Sequence, residues 1–95
     1  MFFRKKNKFI IYTNEKPVIG NPIEIKGNIY HFSLDGVLEV ELKSGVYTLT
    51  TMGRELTYSF IDPNQIYFIS KEDNDCHYNL ILKDISKEEY EKLKK

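Results

Sequence analysis

Apolar and polar residues alternate one by one along most of this chain. The clearest run is Leu38–Lys43, in which every second residue is apolar and the residues between are charged. A β-strand that buries one face and exposes the other has this two-residue period. The chain turns at Ser44-Gly45 and resumes as a second run over residues 46–51, so we predict two strands that meet at this bend.

Further runs with the same period are separated by residues that favour turns. Short strands with turn signals roughly every 8–12 residues are typical of a sandwich or a small barrel. We therefore predict an all-β fold, a small antiparallel Greek-key β-sandwich or barrel of about seven or eight strands. The further predicted strands are residues 9–13, 23–26, 29–34, 55–61, 65–70 and 76–83.

The segments between these runs predict how the strands connect. Asp35-Gly36 is the strongest hairpin signal, because a type I′ turn needs positive φ at both central positions. Gly27-Asn28 is a second candidate hairpin turn. Two prolines make residues 17–22 an edge or a connection rather than a central strand. Residues 71–75 are all polar or charged, and we predict a solvated loop there.

Only the C-terminal end of the chain changes its period. Ser86 and Glu89 fit a capping box, in which two side chains satisfy free amides at the start of a helix. Ile85 and Tyr90 have the spacing of a hydrophobic staple around that start. We predict a short helix over residues 86–95 that lies on the surface of a sheet or frays.

Composition describes an ordinary single domain. We divide its 95 residues into a basic N-terminal arm (1–8), a β-sandwich (9–83) and a C-terminal helix (86–95). Lys plus Arg and Asp plus Glu both number 14, so the overall charge demands neither nucleic acid nor an acidic partner. Cys76 is the only cysteine, which excludes an internal disulfide framework. Abundant Lys, Ile, Asn and Tyr indicate an AT-rich coding sequence, as in a low-GC bacterium, its mobile elements or its phages.

The start of the chain bears on its location. No segment approaches the roughly 20 apolar residues of a membrane-spanning helix, so we expect no membrane partner. Four apolar residues, Phe9–Tyr12, follow the basic stretch, fewer than the about 7–15 of a secretory signal. We therefore expect a cytoplasmic protein, or a cell-surface domain if residue 1 is not the native start and a signal has been removed.

Three groups of polar residues could suggest catalysis or metal binding. In His31-x-Ser33-x-Asp35, residues two apart on a strand stand about 6.5–7 Å apart, too far for a direct Ser–His hydrogen bond. Cys76-His77 point to opposite faces of a strand and do not share a metal. Asp73-x-Asp75 lacks the glycine and glutamate of a calcium-binding EF-hand loop. We expect no enzymatic activity, no metal site and no cofactor.

One cluster of charge stands out. Arg4, Lys5, Lys6 and Lys8 precede the first acidic residue, Glu15, and are flanked by phenylalanines. Basic residues interleaved with aromatics are compatible with nucleic-acid binding. The alternatives are a solubilising arm or an edge strand protected by lysines. Four charges alone support only weak, salt-sensitive binding.

Tyrosines supply a second candidate contact. Alternation places most aromatic residues in the core, but it leaves Tyr12 and Tyr67 facing outwards, because their neighbours already supply an inner face. Exposed tyrosines beside the basic arm would form a contact patch.

One motif resembles a known family. Leu42-x-x-Gly45-x-Tyr47 resembles a tyrosine corner, in which the hydroxyl bonds upstream backbone at a bend between sheets. With the strand Phe9–Thr13 and the link Val18–Pro22, it resembles the V-x-G-x-x-P and L-x-x-G-x-Y-x-L pattern of PEGA and prealbumin-like bacterial modules, although the link is one residue shorter, V-x-G-x-P. The resemblance covers most of residues 9–82, while a hairpin over residues 29–38 departs from it. It implies a sandwich, usually on the cell surface, and no catalysis.

Two functional hypotheses follow. The first is a binding module that contacts a protein partner through a sheet edge or an aromatic-basic patch. The alternative is a small barrel that binds nucleic acid, and it predicts that the basic arm shares a face with Lys26 or Lys43. Strand addition instead predicts an unpaired edge and salt-tolerant binding. A homodimer through an edge strand is left open.

Overall fold

Two sheets and a short helix organise the chain. The computed structural model describes residues 6–74 and 77–94. Within them, the elements are β1 (Lys6–Thr13), α1 (Lys16–Ile19), β2 (Ile23–Ile25), β3 (Asn28–Tyr30), β4 (Val37–Lys43), β5 (Gly45–Thr51), β6 (Arg54–Phe60), β7 (Ile66–Asn74), β8 (His77–Ile85) and α2 (Lys87–Leu93).

Each sheet has four strands. The first, sheet 1, has the order β4-β1-β7-β8, and the second, sheet 2, has the order β3-β2-β5-β6. Neighbouring strands are antiparallel except β1 and β7, which run parallel. The chain crosses from sheet 1 to sheet 2 between β4 and β5, at Ser44. The predicted all-β sandwich with one short C-terminal helix is confirmed.

The main core lies between the sheets. Leu38, Val40 and Leu42 of β4 are buried there, as their alternation with charged residues predicts, and Phe9 and Ile11 of β1 lie beside them. Burying one such side chain contributes about 1.5–3 kcal/mol, so these alternating positions select which face of each strand turns inwards.

Helix α2 covers the outer face of sheet 1. Ser86 caps it, since its hydroxyl accepts a hydrogen bond from the Glu89 amide at 3.1 Å. Ile85 and Tyr90 are buried in a second apolar cluster with Tyr12 and Phe68. The predicted cap and staple contacts are therefore present, and this part of sheet 1 is buried on both faces.

Two predicted connections differ in the structure. The turn at Asp35-Gly36 forms, but β3 before it lies in sheet 2 and β4 after it lies in sheet 1, so it joins sheets rather than closing a hairpin. Only Gly36 has positive φ (+82°), where a type I′ turn needs two such residues. The β2–β3 hairpin turns at Lys26-Gly27, with φ of 52° and 80°, one residue before the predicted position.

Other boundaries also move. β7 continues through Asn74 and pairs with β8, so the polar residues 71–74 are strand rather than the predicted loop. The backbone hydrogen bonds between β7 and β8 form whether the side chains are polar or apolar. Polar composition is therefore not a sufficient signal for a loop here. Residues 17–22 form a connection as predicted, with α1 at its start.

Candidate functional site

One side of the sandwich is closed by side chains. β6 and β8 are the sheet edges on this side. The Tyr58 hydroxyl donates a hydrogen bond to the Asp84 carboxylate at 2.5 Å, and the Asp84 amide donates to that hydroxyl at 3.2 Å. Arg54 donates to the Asn79 side-chain oxygen at 3.4 Å. These bridges tie the two edges together. The hydrogen bond to Asp84 and then burial raise the pKa of Tyr58.

The opposite side is open. Its edges are β3, three residues long, and β4, seven residues long. Within the described residues, β4 pairs with β1 alone. We call this region, β3 and β4 with the space between them, the open side.

Hydrogen bonds at the start of β4 show which of its backbone groups face outwards. The Thr13 amide of β1 donates to the Gly36 carbonyl at 2.9 Å. On the far side, the Val37 amide donates to the Ser33 hydroxyl at 3.1 Å and its carbonyl accepts from the Ser33 amide at 2.9 Å. In an antiparallel pair of strands, the backbone amides and carbonyls of successive residues point alternately towards the neighbouring strand and away from it. The amides and carbonyls of Glu39 and Glu41 therefore point away from β1, along the free edge.

A basic groove opens beside the end of β4. It has a volume of about 370 Å³. Lys6 faces Lys43 directly across the β1–β4 ladder, and the Lys26 amine lies 5.6 Å from the centre of the Tyr47 ring. We call it the three-lysine groove. Its lining residues are Lys6, Lys26, Asn28, Tyr30, Glu41, Leu42, Lys43 and Tyr47.

Tyr47 links this groove to the bend between the sheets. Its hydroxyl donates a hydrogen bond of 2.6 Å to the Lys43 carbonyl, which holds the end of β4 against the start of β5. The side chain is buried, and Leu42 beside it belongs to the same core. Gly45 begins β5 at this point.

The predicted basic arm divides between the groove and the strand. Arg4 and Lys5 lie outside the described residues. β1 begins at Lys6, so Lys6 and Lys8 belong to a paired strand and not to a free arm. Lys8 is exposed and faces Glu41 across the ladder, while Lys6 reaches the groove with Lys26 and Lys43.

The two tyrosines predicted to face outwards are buried, and that prediction is wrong. Tyr67 is 2% exposed between the sheets. Its hydroxyl accepts hydrogen bonds from the Ile61 and Asp62 amides, each at 3.2 Å, and donates to the Asp62 carbonyl at 3.1 Å. Tyr12 is 4% exposed beneath α2, with its ring 5.0 Å from that of Tyr90. Burial raises the pKa of both phenols.

The reason is that the part of sheet 1 around β7 is buried on both faces. β7 is buried at four consecutive positions, Ile66–Ile69, because sheet 2 covers one face and α2 the other. A prediction from alternation supposes that one face of each strand is exposed to solvent. It therefore places half of the residues of a strand buried on both faces in solvent.

Of the groups considered for catalysis and metal binding, only His31, Ser33 and Asp35 lie wholly within the described residues. His31 is exposed on an irregular segment, and the Ser33 hydroxyl already accepts a hydrogen bond from the Val37 amide. Residues 75 and 76 lie outside the described part, as do the side chains of residues 73, 74, 77 and 78. Among the described residues, no three His, Cys, Asp or Glu side chains are grouped to hold a metal ion. The longest described helix has seven residues, and none reaches the length and apolarity needed to span a membrane.

The residues that sequence reasoning missed are Glu39 and Glu41. Alternation identified them only as the wet face of a strand. Charged residues at every second position also protect exposed sheet edges, and that signal could have marked β4 as an edge strand.

Comparison with known proteins identifies no relative. No protein-family model matches the chain, and no curated protein or solved structure shows significant similarity to it. The resemblance to PEGA and prealbumin-like modules stays a prediction.

Proposed function

We propose that this chain is a binding module without catalytic activity, and that its partner is a protein that adds a strand to the free edge of β4. The observation that supports this is the row of outward backbone groups at Glu39 and Glu41. An added strand gains affinity from main-chain hydrogen bonds at such an edge and specificity from alternate side chains.

The other edges are poorer candidates. β3 is only three residues long, and side-chain bridges between Tyr58 and Asp84 and between Arg54 and Asn79 cross from β6 to β8. β4 keeps outward-facing donors and acceptors at Glu39 and Glu41, between Val37, whose outward groups bond Ser33, and Lys43, whose carbonyl accepts the Tyr47 hydroxyl.

A pair of variants separates backbone pairing from side-chain contact. Glu39→Ala and Glu39→Pro both remove the carboxylate, but only proline also removes the outward amide. The Glu39 amide takes no part in the β1–β4 ladder, so we expect both variants to fold. Each is used to capture partners from lysate of the source cells after nuclease treatment and in high salt.

We expect one protein to be retained by the wild type and by Glu39→Ala but lost with Glu39→Pro. The affinity for this partner should fall by more than about tenfold. Glu39→Pro removes the hydrogen bond from the outward amide, and the proline ring also clashes with the added strand. Equal retention by a folded Glu39→Pro variant would contradict strand addition on β4.

The three-lysine groove favours a second candidate, the binding of single-stranded nucleic acid. Lys6, Lys26 and Lys43 line one groove with Tyr30 and Tyr47, and phosphate neutralisation by lysines is the sequence-independent part of such binding.

Salt dependence tests this candidate. With three phosphate contacts, the affinity for an oligonucleotide should fall with salt on a log–log slope of about −2. Lys26→Gln/Lys43→Gln should reduce that slope towards about −1, whereas Lys16→Gln/Lys87→Gln, which removes equal charge elsewhere, should not. An oligonucleotide that shows no anisotropy change even at low salt would reject the candidate.

A further inference from the structure

We propose that the strand added to β4 comes from a different protein and carries basic residues opposite Glu39 and Glu41 and an acidic residue opposite Lys43. This inference rests on the proposed strand addition and adds the chemistry of the partner. It follows from the charges on the outer row of β4 and from what already faces them on β1.

The outer row of β4 is only partly matched by β1. Glu41 faces Lys8 across the ladder, but Glu39 faces the apolar Ile10. Both glutamates are exposed. Opposite charges directly across strands stabilise the pair, so the second neighbour of β4 is favoured if it presents cations at these two positions.

The end of β4 has the reverse requirement. Lys43 faces Lys6, a like-charge pair, and Lys26 lines the same groove. An acidic side chain on the added strand opposite Lys43 would reach this excess of positive charge. The outer row of β4 therefore carries negative charge at Glu39 and Glu41 and positive charge at Lys43. A complementary strand carries the opposite sign at each facing position.

The inner row of β4 requires apolar neighbours. Leu38, Val40 and Leu42 are buried between the sheets, and side chains that continue this row would lie over the same core. In an antiparallel strand, the complementary pattern runs acidic, apolar, basic, apolar, basic. Antiparallel pairing is also slightly the more stable of the two directions.

A second copy of this chain fits poorly. In a two-fold antiparallel pair of β4 strands centred on Val40, Glu39 of each copy faces Glu41 of the other. Centring the pair on Glu39 or on Glu41 instead places that glutamate opposite itself. The register centred on Val40, which pairs all of β4, therefore places like charges across the strands twice, which is destabilising. The register centred on Glu41 also pairs Glu39 with Lys43 at both ends, but it joins only residues 39–43. The favoured partner has a different sequence.

Two synthetic peptides of inverted charge test the inference. The first, TEVKVKVT, has the complementary pattern, and the second, TKVEVEVT, exchanges every lysine and glutamate. Binding to the full chain is followed from backbone amide chemical shifts, with β4 as the expected site and β6 as the internal reference. We expect the first peptide to bind about fivefold or more tightly than the second at low salt.

Charge exchange on the protein provides the matched variant. In Glu39→Lys/Glu41→Lys the preference should reverse, and in Glu39→Gln/Glu41→Gln it should fall towards equality. Since these side chains are exposed, we expect both variants to keep the wild-type fold, and the amide spectra check this directly.

The outcomes separate the two proposals. Equal binding of both peptides at β4, or a preference unchanged by the double substitution, would overturn the charge pattern and leave strand addition standing. Binding of neither peptide at β4 would overturn strand addition and this inference together. A wild-type dimer that pairs through β4 would overturn the claim that the partner is a different protein.

Discussion

At the scale of single residues, Gly36 determines whether the chain can pass from one sheet to the other. Its φ is +82°, in the left-handed region, and its carbonyl accepts the Thr13 amide. A β-carbon at Gly36 would lie 1.9 Å from the Thr13 carbonyl oxygen. Both the backbone conformation and the close approach of β1 exclude a side chain here.

Gly27 provides a matched control, because its φ is also positive (+80°) but no atom lies within 4 Å of a β-carbon added there. We expect Gly27→Ala to lower the free energy of unfolding by about 1 kcal/mol, the cost of the conformation alone. Gly36→Ala should cost about 3 kcal/mol or more, because it adds a backbone clash. Urea unfolding measures both. Similar losses would show that the approach of Thr13 is not a constraint.

The buried phenol of Tyr67 makes stability depend on alkaline pH. Burial raises its pKa above the ordinary value of 10.0, so the folded protein holds the proton more strongly than the unfolded chain. Its contribution is complete below pH 10 and is lost as the pH rises through the raised pKa. We expect the free energy of unfolding to fall above about pH 10, and to fall less steeply in Tyr67→Phe. An identical slope in this variant would assign the alkaline loss to other groups.

At the scale of elements, α2 shows how a short helix becomes part of the fold. It has seven residues, too few for a stable isolated helix. Tyr90 and the preceding Ile85 anchor it on the outer face of sheet 1, and Ser86 caps its first turn. The helix in turn buries Tyr12 and Phe68, which would otherwise leave an apolar patch on the sheet.

Removing the cap should loosen this helix. Ser86→Ala removes the acceptor for the Glu89 amide and should lower the free energy of unfolding by about 1 kcal/mol, whereas Ser86→Asp keeps an acceptor and should cost much less. Hydrogen exchange at the α2 amides and urea unfolding measure the local and the global effect. If alanine and aspartate are equivalent, the hydroxyl is not acting as a cap.

The strands show which local signals are reliable. Runs such as Leu38–Lys43 and Glu55–Ile61 were predicted with boundaries close to β4 and β6, because a half-buried strand must alternate. Residues 29–34 were predicted as one strand, but β3 ends at Tyr30 and Leu34 is 96% exposed. Alternation continues there in the sequence, but the chain has already left the sheet to reach the turn at Gly36.

At the scale of the whole molecule, the two sides of the sandwich differ. Side-chain hydrogen bonds join the edges of β6 and β8, while β4 keeps outward backbone groups at Glu39 and Glu41. Its glutamates also oppose pairing with a second β4, a protection that edge strands commonly need.

This protection predicts the oligomeric state. We expect the wild type to be monomeric and Glu39→Lys to dimerise, because in the register centred on Val40 the new lysine would face Glu41 of the second copy at two places. Sedimentation should show association strengthened by about tenfold or more, and weakened by salt. Glu39→Gln is the control for loss of charge alone. A monomeric Glu39→Lys variant would show that β4 does not self-pair.

The sequence alone determined the features that depend on neighbours along the chain. These are the strand faces that meet in the core, the bend at Ser44-Gly45 and the N-cap at Ser86, since period, turn chemistry and capping act over a few residues. Tertiary structure decided what depends on distant segments. Tyr12 and Tyr67 are buried because α2 and sheet 2 cover opposite faces of sheet 1. β4 is an edge strand because of the order of strands in sheet 1, which is not encoded in the period of any one strand. Lys6 lines one groove with Lys26 and Lys43 because β4 and β5 enter different sheets.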